Sequence, residues 1–139
     1  MTKNRIYLSP PFMNGKEKEM LIEAFDSNWI APLGPNVDAF ENEIASYLGV
    51  EDCCALSSGT SALHLALRVA NIKEGDFVVC PSFTFVASAN IIMYEKAIPI
   101  FIDSDLQSWT MDCNIVEKVF KKYKPKAIIA VDIYGQSCD

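Results

Sequence analysis

Apolar positions along this chain change rhythm near residue 53. Upstream, two stretches carry them at three- and four-residue spacing: Met20, Leu21, Ala24 and Phe25 within 15–27, then Val37, Phe40, Ile44, Tyr47 and Leu48 within 36–48. That spacing predicts two helices, each with one face set for burial, and Asn28 and Gly49 stand where helix ends belong. The segment between them, Trp29-Ile30-Ala31-Pro32-Leu33-Gly34-Pro35, is apolar but broken by prolines. It predicts a loop that something packs over, either the same domain, a partner subunit or a ligand. Downstream, short β-rich runs alternate with helical ones: strands are expected at 53–56, 77–80, 98–102 and 127–131. The intervening helices should end at residue 70 and cover 86–95 and 112–122. A βαβαβαβ order, with 77–80 and 127–131 continuously apolar, predicts an α/β fold in three layers: a mainly parallel sheet with helices on both faces.

In such sheets ligands collect at the carboxyl ends of the strands. Three of those ends carry suitable chemistry. Ser57-Ser58-Gly59-Thr60-Ser61 turns from a predicted strand into a predicted helix. Such a turn leaves backbone N–H groups at the helix start unpaired, with the positive end of the helix dipole behind them, which makes an anion seat. The hydroxyls of Ser58, Thr60 and Ser61 add donors, and Gly59 admits close approach or a positive φ. The same residues also read as an ordinary Ser/Thr helix cap. At the second end, Pro81-Ser82-Phe83-Thr84-Phe85 puts two aromatics off the spacing of the following core positions Val86, Ala89, Asn90 and Met93. Either ring could simply fill a core, but beside an anion seat the pair describes a site for a flat aromatic molecule that carries a phosphate. The third end is Asp132-Ile133-Tyr134-Gly135-Gln136.

Charge and composition narrow the classes. With 139 residues and 50% hydrophobic content, the chain is sized for one domain with a real core. A net charge of -6 argues against a nucleic-acid binder, since there is no basic stripe to release counterions. The lysines at 118, 121, 122, 124 and 126 read as the wet face of a helix and the turn after it. Cys53, Cys54, Cys80, Cys113 and Cys138 lack C-x-x-C spacing and read as reduced core residues, and the lone His64 on an apolar helix reads as a packed or half-buried histidine. No metal site is expected. The charged start, Met1-Thr2-Lys3-Asn4-Arg5, leads into Pro10-Pro11 instead of an apolar signal region, and no run is long enough to span a bilayer. A soluble, cytoplasmic protein is expected.

These motifs, in order, are similar to those of a known family. Ser58-Gly59-Thr60-Ser61-Ala62-Leu63-His64-Leu65-Ala66-Leu67, Pro81-Ser82-Phe83-Thr84-Phe85-Val86-Ala87-Ser88-Ala89-Asn90 and Ile133-Tyr134-Gly135-Gln136 resemble the DegT/DnrJ/EryC1/StrS pyridoxal-phosphate-dependent sugar aminotransferases. The Leu8-Ser9-Pro10-Pro11 opening and the 28–35 loop resemble the members that aminate UDP-4-keto-6-deoxy-N-acetylhexosamines. The resemblance implies the N-terminal portion of a fold-type I large domain, with residues 1–50 a helical segment and active-site loop and 51–139 the cofactor-binding βα units. It implies that Gly59, Thr60 and Ser61 hold the phosphate of pyridoxal 5'-phosphate and that Phe85 stacks on the pyridine ring. Trp29, Ile30, Pro32 and Gly34 would belong to a substrate or subunit-interface loop. It implies a cytoplasmic homodimer that takes a nucleotide sugar, with glutamate as the amino-acid donor, in cell-surface polysaccharide biosynthesis. Asp132 stands where many members have His, which leaves the sugar-nucleotide contact of that position unassigned. The family's Schiff-base lysine and the Asp facing the pyridine nitrogen lie beyond the Tyr-Gly-Gln segment, so no catalytic residue is expected within 1–139, and these residues alone are expected to be inactive. The alternative is a non-catalytic regulatory or binding protein on the same scaffold.

Overall fold

The computed structural model describes residues 5–139; the opening 1–4, on which the reading of the N-terminus partly rests, lies outside the described residues. The chain forms two compact units, one ending at Ala55 and the other Leu56–Asp139.

The first unit contains α1 (Glu17–Asp26) and α2 (Pro35–Leu48). Helix α1 begins where the Glu17 carboxylate accepts the N–H groups of Asn14 and Gly15 at 2.8 and 2.9 Å. Those backbone donors hold the Glu17 carboxyl below its ordinary value. Gly34 (φ 139) and Pro35 set the start of α2, and Gly49 ends it in the left-handed conformation at φ 67. Burial departs from the pattern: α1 buries nothing and α2 buries only Ala45, while Met20, Leu21, Phe25, Phe40, Tyr47 and Leu48 remain exposed. Periodicity marks an apolar face, but burial requires a surface for that face to meet, and the described residues of this unit supply none. The expected strand at 53–56 is also absent. The Ala55 N–H donates to Glu41 Oε1 at 2.7 Å instead of to a ladder. A strand exists only through a neighbour, and none pairs with it among the described residues.

The second unit contains α3 (Gly59–Val69), β1 (Phe77–Pro81), α4 (Ala87–Tyr94), β2 (Ile98–Ile102), α5 (Cys113–Tyr123), β3 (Ala127–Ile128) and a short 3-10 turn at Ile133–Gly135. The strands are parallel in the order β2-β1-β3, with Val79 opposite Ile100 on one side and Ile128 on the other. Alternation along β1 builds two cores. Val78 and Cys80 pack with Leu67 of α3, Ile91 and Ile92 of α4, and Ile129. Val79 points the other way, toward Ile102, Met111 and the α5 residues Ile115, Val116 and Val119. Helices therefore cover both faces of a parallel sheet, the three-layer α/β architecture that the alternating pattern predicts.

Three details differ from the pattern. The β3 ladder pairs only Ala127 and Ile128; Ile129 N–H still reaches Val79 O at 2.8 Å before the chain leaves the sheet. Helix α4 buries Ala87, Ser88, Ile91 and Ile92, not the phase containing Val86 and Met93, which are exposed. In an eight-residue helix with apolar residues on every side, periodicity cannot select the phase. The five cysteines are all free thiols, but only Cys80 is buried, and Cys54 and Cys113 are exposed. Among the described residues no helix is long and apolar enough to cross a membrane.

Candidate functional site

The start of α3 shows how the cap and anion-seat readings divide the same residues. Ser58 is the N-cap: its Oγ accepts the Ser61 N–H at 3.1 Å and lies 3.0 Å from Ser61 Oγ. The backbone carbonyl of Ser58 accepts from Ala62 N–H at 3.1 Å. Gly59 and Thr60, the first two residues of the helix, keep N–H groups with no intrahelical partner. The cap thus uses one of the orphan donors and leaves two. Gly59 does not use the left-handed region; its contribution is space, because a Cβ built there meets nothing within 4 Å.

Gly59 and Thr60 line a cavity of about 830 Å³ together with Phe85 and the Asp132–Tyr134 turn. Its floor is apolar, formed by Leu63 and Ala66 on one turn of α3 and by Ile129 and Val131 after β3. Thr84 Oγ1 and Ser88 Oγ, 3.1 Å apart, satisfy one another at the rim. Phe85 is 75% exposed, so its ring is available to a ligand and is not consumed by the core. Among the residues expected to hold a cofactor, Gly59, Thr60 and Phe85 come together here, whereas Ser61 is engaged with Ser58 and does not line the cavity. Asp132 lines it, with Oδ1 accepting the Cys138 N–H at 2.9 Å. No lysine lines it.

The arrangement fits a flat ring bearing a phosphate: two N–H groups without intrahelical partners and a hydroxyl at a helix N-terminus, open space at Gly59, and an exposed aromatic in the same lining. Reading the sequence alone missed the walls. Ala62 and Ala66 are small residues four apart on α3, a spacing that could have marked a helix face kept open, and Tyr134 was visible only as part of a strand-end motif.

The remaining expected residues lie elsewhere. His64 is half-buried between α3 and α4, its Nε2 2.6 Å from Glu95 Oε1 and its ring edge-on to Tyr94 at 5.5 Å. Arg68 also reaches Glu95, at 3.3 Å. Trp29, Ile30, Pro32 and Gly34 belong to the first unit. There the Trp29 ring lies over Gly34, where an added Cβ would stand 2.7 Å from Cε3.

Comparison with known proteins bears on the family and the fold. The chain is 54% identical over 138 residues to EpsN of Bacillus subtilis, named as a pyridoxal phosphate-dependent aminotransferase, covering 96% of this chain and 36% of that protein. It is 44% identical over 129 residues to the GDP-perosamine synthase of Escherichia coli, covering 93% of this chain and 35% of that one. Its fold matches the PMP form of Spr1654 from Streptococcus pneumoniae, named as a sugar aminotransferase, with a TM-score of 0.84 and 31% identity over 96% of this chain and 33% of that one. The chain spans about a third of the length of these relatives. With residues 11–139 matching the family model, the chain belongs to the DegT/DnrJ/EryC1/StrS aminotransferase family.

Proposed function

We propose that this chain forms the phosphate-binding and ring-stacking side of a pyridoxal-phosphate-dependent sugar aminotransferase. The observation that carries the reading is the cavity at the carboxyl end of the sheet, where Gly59 and Thr60, whose N–H groups have no intrahelical partner, line the same space as Phe85. Gly59 N–H, Thr60 N–H and Thr60 Oγ1 would hold the phosphate, and Phe85 would stack on the pyridine ring. When bound, the cofactor supplies an electron sink through which an amino group moves from donor to keto sugar. The residues of this chain bind and orient it, and the apolar floor at Leu63, Ala66 and Val131 keeps water from one side of the ring.

The substrate we propose is a nucleotide-linked 4-keto sugar, UDP-4-keto-6-deoxy-N-acetylhexosamine, with glutamate as amino donor, for cell-surface polysaccharide biosynthesis. Relatives named for GDP- and dTDP-linked amino sugars support the nucleotide-sugar class. The full-length protein would act as a cytoplasmic homodimer. Residues 51–139 would supply the cofactor-binding βα units, and residues 1–50 a helical segment whose loop at Trp29, Ile30, Pro32 and Gly34 serves substrate or subunit contact. Since no lysine lines the cavity, residues 1–139 alone are expected to bind cofactor without turnover.

Pyridoxamine phosphate tests the reading, because it needs no lysine to tether it. Equilibrium dialysis should show saturable binding to the chain, with the phosphorus resonance shifted and binding weakened in Phe85→Ala. Absence of saturable binding would refute the assignment. For the substrate, a longer protein containing this chain should aminate the UDP-linked keto sugar at the expense of glutamate. Turnover only of a GDP- or dTDP-linked keto sugar would reassign the nucleotide.

A further inference from the structure

Beside the cofactor cavity, three aromatic rings converge from the ends of all three strands. Phe83, after β1, has its ring centroid 5.7 Å from that of Trp109, in the loop after β2, and 6.2 Å from that of Tyr134, in the turn after β3. Trp109 and Tyr134 are both left-handed, with φ of 63 and 52. A bulky side chain rarely adopts that conformation, and such residues persist where the surroundings over-determine them.

The loop shows what over-determines Trp109. Ser104 bridges to Met111 in antiparallel fashion, Asp105 N–H donates to Thr110 O at 2.9 Å, and Trp109 N–H donates to Asp105 O at 3.0 Å. Asp105 Oδ1 accepts from the N–H groups of Gln107 and Ser108, both at 2.9 Å. These donors hold its carboxyl below the ordinary value, so it is an anion at neutral pH. The backbone that carries the ring is therefore fixed before any ligand arrives.

Phe83 and Trp109 separate two hollows of about 390 and 280 Å³. The first also has Tyr134 and Gln136 in its wall and shares Ile133 and Tyr134 with the cofactor cavity. The second is walled by Asp103, Ser104 and Asp105. Asp103 and Asp105 each use only Oδ1 within the chain, leaving Oδ2 without a partner among the described residues, and Ser104 Oγ has none either. No lysine or arginine lines either hollow. Paired carboxylates with no cation repel a phosphate or pyrophosphate, and they accept hydrogen bonds from neutral hydroxyls. Fixed aromatic faces, negative at their centres, attract the weakly positive C–H face of a sugar ring.

We propose that Phe83, Trp109 and Tyr134 form a hexopyranose shelf, on which the sugar ring of the substrate stacks while its hydroxyls donate to Asp103 and Asp105. The shelf specifies the sugar and excludes the phosphates, which must leave in another direction. This rests on the aminotransferase reading for the identity of the sugar, though the shelf itself needs only a pyranose.

Saturation-transfer NMR on the whole chain tests it, with UDP-N-acetylglucosamine, N-acetylglucosamine and UDP as probes and irradiation of the protein. The expected pattern places the strongest transfer on the hexose ring protons, with weak transfer to UDP alone. Trp109→Gly suits the left-handed backbone while removing the ring, and it should weaken the sugar-bearing probes roughly three- to tenfold. Asp103→Asn should weaken them without altering the UDP signal. Transfer concentrated on uracil or ribose, no transfer to any hexose proton, or unchanged binding in Trp109→Gly would overturn the shelf. Pyridoxamine phosphate binding measured on the same samples separates the two readings: its loss with the hexose pattern intact would refute the cofactor assignment alone, and the reverse would refute the shelf alone.

Discussion

Ser58 caps α3, whereas the adjacent Gly59 is proposed to open the phosphate seat, and substituting each in turn tests the division. Ser58→Ala removes the hydroxyl that accepts Ser61 N–H at 3.1 Å. A lost N-cap of this kind costs about 1 kcal/mol, which for a chain of this size lowers Tm by about 3–5 °C. It leaves the N–H groups of Gly59 and Thr60 in place and frees a third, so the affinity for pyridoxamine phosphate should not fall. Gly59→Ala does the reverse. Its Cβ meets nothing within 4 Å and its φ is not left-handed, so the fold should accept it and gain up to about 0.5–1 kcal/mol from the stiffer unfolded chain. The methyl would stand at the entrance to the two free N–H groups and hinder one hydrogen bond to a charged phosphate, about 1.5 kcal/mol or roughly tenfold in affinity. Thermal unfolding followed by circular dichroism, together with equilibrium dialysis on the same samples, provides both readings. If Gly59→Ala binds as tightly as the parent, or Ser58→Ala loses binding while keeping its Tm, the separation of cap from seat is wrong.

Three further outcomes follow from particular contacts. Gly34→Ala would place a Cβ 2.7 Å from the Trp29 ring at a φ of 139, so it should destabilise the first unit by about 1–3 kcal/mol and alter Trp29 fluorescence, best read in a Trp109→Phe background. Thiol titration with a chromogenic disulfide should label Cys54 and Cys113 rapidly, while Cys80, buried and with its thiol pushed up to about 11 by desolvation, should react only on unfolding. The Lys126 ammonium, 2.8 Å from Asp76, holds that carboxyl below its ordinary 3.8. A lowered folded-state value means the contribution is present above about pH 4 and is lost as pH falls through the folded value, so Asp76→Asn should flatten the acid limb of the stability profile, measured by urea unfolding between pH 2 and 7.

How much of this was legible beforehand varies with the physical cause. Helix positions followed from spacing and caps: Gly49 marks the real end of α2, because capping is a local hydrogen-bonding event. The sheet order was not legible, and the strand expected at 53–56 does not form, because pairing depends on a distant neighbour. At the candidate site, Gly59, Thr60 and Phe85 were readable as strand-end motifs. Ser61 is expected at the seat from the resemblance; in the structure its N–H donates to Ser58 Oγ, a local contact that the motif does not spell out. Trp109 gave no signal at all, since it lies between Ser108 and Thr110 with no periodic neighbours.

By itself the sequence determined the alternation of α and β segments, the cap chemistry at the start of α3 and the family to which the chain is similar, since each is written in residues close together along the chain. Tertiary structure alone decided that Phe85 and the Asp132–Tyr134 turn line one cavity and that Phe83, Trp109 and Tyr134 meet. Those outcomes depend on side chains brought together from the ends of different strands, and the geometry of a parallel sheet sets their separation rather than any spacing in the chain.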